Sequence, residues 1–197
     1  MTFEKLGITA PTGMRNDAFT LRPIRAADAE LDYAAVMESK EFLRKWEQST
    51  WPEDDFTVEA NREDMQKMEE RHALGHAYGY TVMNPDETEC LGCVYVMSPR
   101  SKMFLDAEIT PVAEAGWSDV EAAVYFWVRA SRLVEELDRR LLSELRSWFA
   151  NEWPFGQVHY GTNEEFEQQV ALIDSTDLEL QFRSKRPKES GASLVYV

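Results

Sequence analysis

The segment from Ala122 to Val128 constrains the fold of this chain more than any other. It reads AAVYFWV, so it is apolar throughout and rich in β-branched and aromatic residues. A run of this length is too short for an independent helix and suits a strand that is covered on both faces. Arg129 ends the run, and helical spacing begins soon after it. The sequence therefore predicts a central strand that leads directly into a helix.

The helix after this strand has the clearest pattern in the chain. Between residues 132 and 150 an apolar residue recurs every three or four positions, while charged residues occupy the other faces. The apolar positions are Leu133, Leu137, Leu141, Leu145, Trp148 and Phe149. Asn151 and Pro154 predict the end of the helix. Such a helix packs one side on the sheet and leaves the other in water.

Shorter patterns on both sides complete the predicted fold. In chain order they predict a strand at 19–24, a helix at 28–38, a short helix or loop at 41–51, a half-exposed helix at 56–74, a hairpin of 76–84 and 90–97, a strand or hairpin arm at 103–112, a strand at 155–160, a helix capped by Thr162 and Glu165, and strands at 178–182 and 193–197. This order predicts an α/β fold with a mixed, mostly antiparallel central sheet flanked by helices. Residues 1–17 are expected to form a loosely ordered lead-in, and residues 18–197 a single domain.

Length and charge exclude several classes of partner. A chain of 197 residues suits one domain. A formal net charge of −15 repels phosphate backbones and anionic lipid headgroups, so neither nucleic acid nor a membrane is an expected partner. No apolar run approaches the roughly 20 residues of a membrane-spanning helix, and the first residues do not resemble a secretion signal. A cytoplasmic protein is expected.

The cysteines and histidines give weak signals for a metal. Cys90 and Cys93 form a C-x-x-C pattern, which could be a redox dithiol or half of a zinc site. In a regular strand, residues three apart are separated by about 10 Å, too far for a disulfide, so two small apolar core residues are the preferred interpretation. His72 and His76 have the spacing of two ligands on a helix, but Gly75 interrupts it and no third ligand is evident. No metal site is predicted.

Three segments resemble the GNAT superfamily of N-acetyltransferases. They are FTLRPIRAADAELDYAAVM at 19–37, AAVYFWVRASRLVEELDRRLLSELRSWF at 122–149 and HYGTNEEFEQQVALIDSTDL at 159–178. The resemblance covers roughly residues 18–197 and implies the acyl-CoA N-acyltransferase (GNAT) fold. It also implies acetyl transfer from acetyl-coenzyme A, as co-substrate, to a small-molecule or peptide amine. Both a monomer and a homodimer remain open.

The resemblance also implies a coenzyme-binding turn after the central strand. The family pattern is [QR]-x-x-G-x-[GA], whose backbone N–H groups bind the pyrophosphate, as a helix N-terminus can. Arg129 matches the first position, whereas Arg132 and Val134 replace both glycines. Free amides between Val128 and Leu133 are nevertheless expected to face a cleft. The alternative is an ordinary strand-to-helix turn with solvated arginines. The implied coenzyme-binding residues are Trp127, Val128, Arg129, Ser131, Arg132, Leu133, Val134 and Asn163, the last of which could instead cap a helix.

Candidate proton carriers follow from the same resemblance. Glu121, at the start of the central strand, and Glu108, in the preceding strand, lie where the family places a carboxylate or water chain that takes the amine proton. In the family, a tyrosine often acts as the acid that returns a proton to the departing thiolate. The corresponding position here is Ser175, and Tyr160 is a candidate substitute. The two glutamates could also be ordinary solvated residues.

Two further segments each allow two interpretations. Bulky apolar residues between 41 and 51 suit either the core or the wall of a substrate groove. These residues are Phe42, Leu43, Trp46 and Trp51. The basic loop RSKRPK at 183–188 suits either a solvated hairpin loop or a contact with a coenzyme phosphate.

Three hypotheses about function therefore stand. The first is an acyl-coenzyme A-dependent N-acyltransferase, whose acidic surface would favour basic acceptors. The second, motivated by the missing glycines and tyrosine, is a catalytically inactive GNAT-like binding or interaction module. The third is a redox dithiol protein that uses Cys90 and Cys93.

Overall fold

The computed structural model describes residues 2–187 and 189–197. In these ranges the strands are β1 (Met14–Arg15), β2 (Thr20–Pro23), β3 (Ala77–Met83), β4 (Cys90–Met97), β5 (Glu108–Pro111), β6 (Ala122–Val128), β7 (Val158–Asn163), β8 (Leu180–Lys185) and β9 (Ser193–Tyr196). The helices are α1 (Ala29–Glu38), α2 (Lys40–Glu47), α3 (Val58–Ala73), α4 (Lys102–Leu105), α5 (Leu137–Glu152) and α6 (Glu167–Asp174). None of the helices in the described ranges is both long and apolar enough to span a bilayer.

All the described strands belong to one sheet. Their order is β1-β2-β3-β4-β6-β7-β9-β8-β5. β6 and β7 pair in parallel, and the other neighbouring strands pair antiparallel. The predicted mixed, mostly antiparallel sheet is confirmed.

The central strand β6 is buried on both faces, as its apolar run predicts. Val124, Phe126 and Val128 face the core formed with α5, which contributes Leu141 and Leu145. On the other side the sheet packs against helices α1 to α3, and Trp127 and Leu43 are both buried there. Layers of helices on both faces of a sheet explain why this strand needs no polar side chain.

The first residues of the chain also contribute to the core. Phe3 is fully buried and its ring stacks on Tyr78 at a centroid distance of 5.2 Å. A short 3-10 helix, Glu4–Leu6, follows it. The domain boundary at residue 18 stays a prediction.

Three local predictions are wrong: the extent of one strand, the start of one helix and the cap of another. Residues 103–112 do not form one strand, because α4 precedes β5 and the buried ring of Phe104 anchors that helical turn. The helix predicted from 132 begins only at Leu137, since residues 130–135 form a 3-10 helix and Glu136 has a left-handed backbone, with φ of 54°. Thr162 lies inside β7 and caps no helix.

The parallel strands β6 and β7 separate before they end. Their register joins Ala122 with Val158 and stops at Tyr125 with Gly161, although both strands continue. Gly161 is required here, because an added Cβ would lie 2.3 Å from the Tyr125 ring. The separation opens the sheet beside the turn that follows Val128.

Candidate active site

A cavity of about 420 Å³ lies on the face of the sheet covered by α1 to α3. Trp127 and Thr162, from the separated ends of β6 and β7, both line it. Further lining comes from α1, α2, α3, β4 and the segment between β8 and β9. The aromatic lining residues are Trp46, Trp51, Tyr95, Tyr125 and Trp127. An apolar, concave site of this size accommodates a small organic group.

Several buried polar atoms of the cavity lack a partner. The Trp46 Nε1, Tyr125 Oη and Thr162 Oγ1 atoms form no hydrogen bond within the described ranges, and all three residues line the cavity. Burial raises the pKa of the Tyr125 phenol, which keeps it a proton donor. An unpaired buried donor is costly, so an occupant of the cavity that accepts these hydrogen bonds gains affinity.

Charged groups lie beside this aromatic surface. Glu47, at the end of α2, lines the cavity together with Arg186 and Glu189. Desolvation raises the pKa of Glu47, nearby Arg186 opposes that shift, and Glu189 adds to it. Glu47 is exposed by surface area, although it lies in the lining of the cavity. Arg186 donates to Glu189 at 2.6 Å. Glu47 and Asp32 are therefore two acids of the cavity lining whose pKa is raised by desolvation.

The turn after β6 has no free amides at the two positions nearest α1. The Ala130 amide donates to the Ser39 hydroxyl oxygen at 2.9 Å. The Ser131 amide donates to a Glu38 carboxylate oxygen at 3.2 Å. Ser39 and Glu38 are brought here because α1 ends beside the turn. The expectation of free amides facing a cleft is wrong for this conformation.

The two flanking amides of the turn are also paired. Arg129 donates through its backbone N–H to the Leu91 carbonyl at 2.7 Å, which continues the ladder between β4 and β6. The Arg132 amide donates to the Arg129 carbonyl at 2.9 Å as the 3-10 helix begins. All four amides from Arg129 to Arg132 thus have acceptors in the protein.

The arginine side chains of the turn bind carboxylates. Arg129 donates to Glu38 at 2.6 Å and to Glu89 at 3.1 Å. Arg132 donates to Glu89 at 2.6 Å and to Glu135 at 3.0 Å. The hydrogen bond from Arg129 is the main reason why the pKa of Glu38 is lowered to about 2. The anions that the turn binds are therefore carboxylate side chains of the same protein.

The three candidate proton carriers lie away from the cavity. Glu121 accepts the amides of Gly156 and Gln157, at 2.5 and 3.1 Å, and so closes the loop before β7. Glu108 is exposed on β5, at the edge of the sheet. Tyr160 is buried in the core on the α5 side. None of the three lines the cavity, and their catalytic roles stay predictions.

The predicted coenzyme-binding residues divide into separate groups. Trp127 lines the cavity, and Arg129, Ser131 and Arg132 form the turn. Val128 is buried on the opposite face of the sheet.

The remaining predicted residues have other surroundings. Leu133 packs against the core on the α5 side, and Val134 is 87% exposed. The Asn163 amide group donates to the carbonyls of Lys45 and Trp46 at 2.9 and 2.6 Å. Asn163 also accepts the Glu165 amide at 3.0 Å. These hydrogen bonds hold the end of α2 against β7.

Glu47, Tyr125 and Arg186 are among the cavity residues that sequence reasoning missed. A signal existed for two of them, because Glu47 lies in the segment proposed as a groove wall, and Arg186 lies in the basic loop. Trp46 and Trp51 do line the cavity, so the groove interpretation of that segment is supported. Position 188 of the basic loop lies outside the described residues.

The two cysteines lie closer together than a regular strand allows. Both are buried on the cavity side of the sheet, as free thiols. Gly92, with φ of 148°, and a shift of register opposite Val82 form a bulge between them. The bulge brings both thiols to one face, where residues three apart would otherwise alternate. The predicted burial is confirmed. The predicted Cα separation assumed a regular strand, whereas the bulge leaves the two Sγ atoms within 4.8 Å of each other.

Comparisons with known proteins show a shared fold. No protein-family model and no curated protein matches the sequence. A ribosomal L7/L12 alpha-N-protein acetyltransferase in complex with coenzyme A is similar in structure, with a TM-score of 0.67 and 14% identity over 96% of each chain. A ribosomal-protein-S5-alanine acetyltransferase from Vibrio fischeri has a TM-score of 0.68 and 13% identity, over 94% of this chain and 95% of that one.

A third solved structure extends the likeness to another acetyltransferase. The microcin C7 self immunity acetyltransferase MccE, in complex with acetyl-CoA and AMP, has a TM-score of 0.68 and 13% identity, over 95% of this chain and 96% of that one. The chain therefore has the fold of these acetyltransferases, and the predicted GNAT fold is confirmed.

Proposed function

We propose that this protein is an acyl-coenzyme A-dependent N-acyltransferase that transfers an acetyl group to an amine. The observation that carries the proposal is the cavity at the separation of β6 and β7, with unpaired donors inside it and an anion-binding turn beside it. The fold is shared with acetyltransferases whose structures contain coenzyme A or acetyl-CoA.

The turn fits the anionic part of such a co-substrate, because it already binds a carboxylate. A diphosphate would replace Glu38 and be held by Arg129, Arg132 and the Ser131 amide. The coenzyme supplies the activated acyl thioester. Glu38 must be displaced before the diphosphate binds, and this displacement costs free energy. A GNAT turn with free amides would not have this cost.

The cavity suits an amine acceptor. Glu47 has the raised pKa of a general base, and an amine that gives it a proton becomes nucleophilic. Trp46 and Trp51 line the cavity, and tryptophan rings attract cationic groups. Tyr125 supplies a hydrogen-bond donor on the same surface. A basic small molecule or peptide N-terminus is the proposed acceptor class.

We place this activity in the cytoplasm, in a single domain. Its predicted extent is 18–197, and Phe3 and β1 add to its core and its sheet. The two free thiols, Cys90 and Cys93, suit a reducing compartment.

The test combines calorimetric titration of acetyl-CoA with an assay of coenzyme thiol release in the presence of a panel of amines. We expect release that depends on the amine, and an increase of about tenfold in the KM for acetyl-CoA in Arg132→Gln, which loses a charged contact. Arg139→Gln removes an exposed arginine of α5 and should leave the KM unchanged. No binding at millimolar acetyl-CoA, in either the wild type or Glu38→Gln, would contradict the proposal.

A second function, a GNAT-like binding module without transfer chemistry, is favoured by one observation. The amides of the turn are all paired within the protein. A Glu38→Gln variant that binds acetyl-CoA but releases no thiol with any amine would favour this second function over the first.

A further inference from the structure

Three potential metal ligands meet below the cavity. They are Asp32 from α1 and the two cysteines of β4, Cys90 and Cys93. One ligand atom from each residue lies within 4.8 Å of the other two, and all three residues are buried. The sequence separates Asp32 from the cysteines by more than a helix and a strand, so only the fold unites them.

The distances match those of a tetrahedral zinc ion. Asp32 Oδ1 lies 3.4 Å from Cys93 Sγ and 3.6 Å from Cys90 Sγ. With zinc–sulfur bonds of about 2.3 Å and zinc–oxygen bonds of about 2.0 Å, tetrahedral geometry separates sulfur from oxygen by about 3.5 Å. The cluster can therefore accept an ion with little movement of its ligand atoms.

The carboxylate is oriented toward the thiols and lacks a positive partner. Asp32 is 5% exposed, and none of the described residues forms an ion pair with it. Asn61 donates to Asp32 Oδ2 at 2.9 Å, which leaves Oδ1 directed at the two sulfur atoms. A buried carboxylate is costly without a compensating charge, and an outer hydrogen bond of this kind is typical of carboxylates that bind metals.

One coordination position of such an ion would face the cavity. Asp32 and Cys93 line the cavity, whereas Cys90 does not. Two thiolates and one carboxylate make three protein ligands, the number found in zinc sites that keep an open position. Soft sulfur ligands favour zinc over magnesium or calcium.

We propose that Asp32, Cys90 and Cys93 bind one zinc ion whose fourth ligand, water or a group of a cavity ligand, enters from the cavity. The two thiols release their protons to solvent when the ion binds. This inference does not depend on the acyltransferase proposal, because it concerns the metal alone.

The experiment uses the full chain, purified under reducing conditions, treated with a chelator and titrated with Co²⁺. We expect one ion per chain, an intense near-ultraviolet thiolate–cobalt band, visible bands of tetrahedral cobalt, and loss of both when Zn²⁺ is added. Cys93→Ser should weaken Co²⁺ binding by more than about a hundredfold, and Asn61→Ala by about tenfold. His76→Gln removes an exposed histidine that could bind surface metal and should change nothing.

Several outcomes would overturn the proposal. One is the absence of a thiolate band in wild-type protein whose two thiols are free by titration after denaturation, a result that needs no variant to fold. Another is retention of full Co²⁺ affinity in both Cys93→Ser and Asp32→Asn. A third is a disulfide between the cysteines in protein purified without reductant, together with no zinc by elemental analysis, which would identify a redox dithiol.

Discussion

The turn after the central strand and the cavity beside it have opposite hydrogen-bonding states. Each amide from Arg129 to Arg132 is paired within the protein, and the guanidinium groups of the turn hold carboxylates. In the cavity, the buried polar atoms of Trp46, Tyr125 and Thr162 have no partner in the described residues. The resemblance predicted a binding site at the turn, whereas the unsatisfied donors lie in the cavity.

This difference distinguishes groups that are able to bind a ligand from groups that are free to bind one. The turn has the chemistry to bind an anion but must first release Glu38, so its affinity for a ligand is reduced by an internal competitor. The cavity has no such competitor, and its donors gain partners only when something enters. A sequence motif identifies hydrogen-bond donors, but only the folded structure shows which acceptors they already bind.

The largest expected effect concerns the bulge between the two cysteines. Gly92→Ala would place a Cβ 2.1 Å from the Trp127 carbonyl oxygen, at φ of 148°, where side chains are rarely tolerated. We expect the free energy of unfolding to fall by about 3 kcal/mol or more, as measured by urea denaturation. Gly116→Ala is the control, because Gly116 is exposed with φ of −95° and should change stability little. A Gly92→Ala variant as stable as the control would show that the bulge can relax.

The next effect tests whether the cavity carries the chemistry. Glu47→Gln removes the proposed base, and kcat should fall by about a hundredfold. Glu41→Gln, on the same helix, should not change it. Because desolvation raises the pKa of Glu47, the wild-type rate should increase as pH rises through that pKa and the carboxylate forms. A pH profile that is identical in Glu47→Gln would remove Glu47 from the reaction.

A smaller effect is expected at the turn. Glu38→Gln keeps the shape of the side chain but removes the charge that competes for Arg129, so acetyl-CoA should bind about tenfold more tightly, which is about 1.4 kcal/mol. Calorimetric titration measures the change. Glu135→Gln removes a different carboxylate beside Arg132 and should have a weaker effect, since Glu135 does not bond to the turn amides. Unchanged or weaker binding in Glu38→Gln would show that Glu38 does not compete with the coenzyme.

The smallest effect compares two buried tyrosines directly. Tyr80 donates to the Pro11 carbonyl at 2.8 Å, whereas the Tyr125 hydroxyl has no partner in the described ranges. Tyr80→Phe should therefore cost about 1 kcal/mol of stability and Tyr125→Phe nothing measurable. Thermal unfolding of the two variants measures this difference. Equal losses would mean that the Tyr125 hydroxyl is already satisfied, for example by ordered water.

The fold was predictable largely because its central elements have unambiguous periods. The apolar run of β6 and the spacing of Leu137, Leu141 and Leu145 each permit one structure, and both predictions are confirmed. The start of α5 was misplaced because Leu133 continues the apolar spacing, while the left-handed backbone at Glu136 interrupts the helix. Local spacing does not reveal such an interruption.

The candidate site was less predictable, because its parts are distant in sequence. Glu47, Tyr125 and Arg186 come from three separate segments and meet only in the folded sheet. The sequence did not reveal that the two thiols meet on one face, because the C-x-x-C pattern gives no sign of the bulge at Gly92. The occupation of the turn by Glu38 also depends on where α1 ends, which sequence periodicity determines only within a residue or two.

The hydrogen bond from Ala130 to Ser39 has a consequence for the order of events during a reaction. Ser39 is the corner between α1 and α2, and α2 carries Trp46 and Glu47 to the cavity. An anion that takes the Ala130 amide from Ser39 detaches that corner, so occupancy of the turn changes the position of the cavity wall. By thermodynamic reciprocity, an acceptor in the cavity then alters the affinity for coenzyme by the same factor. Initial-rate kinetics should accordingly show that the KM for the acceptor changes as the coenzyme concentration is raised to saturation.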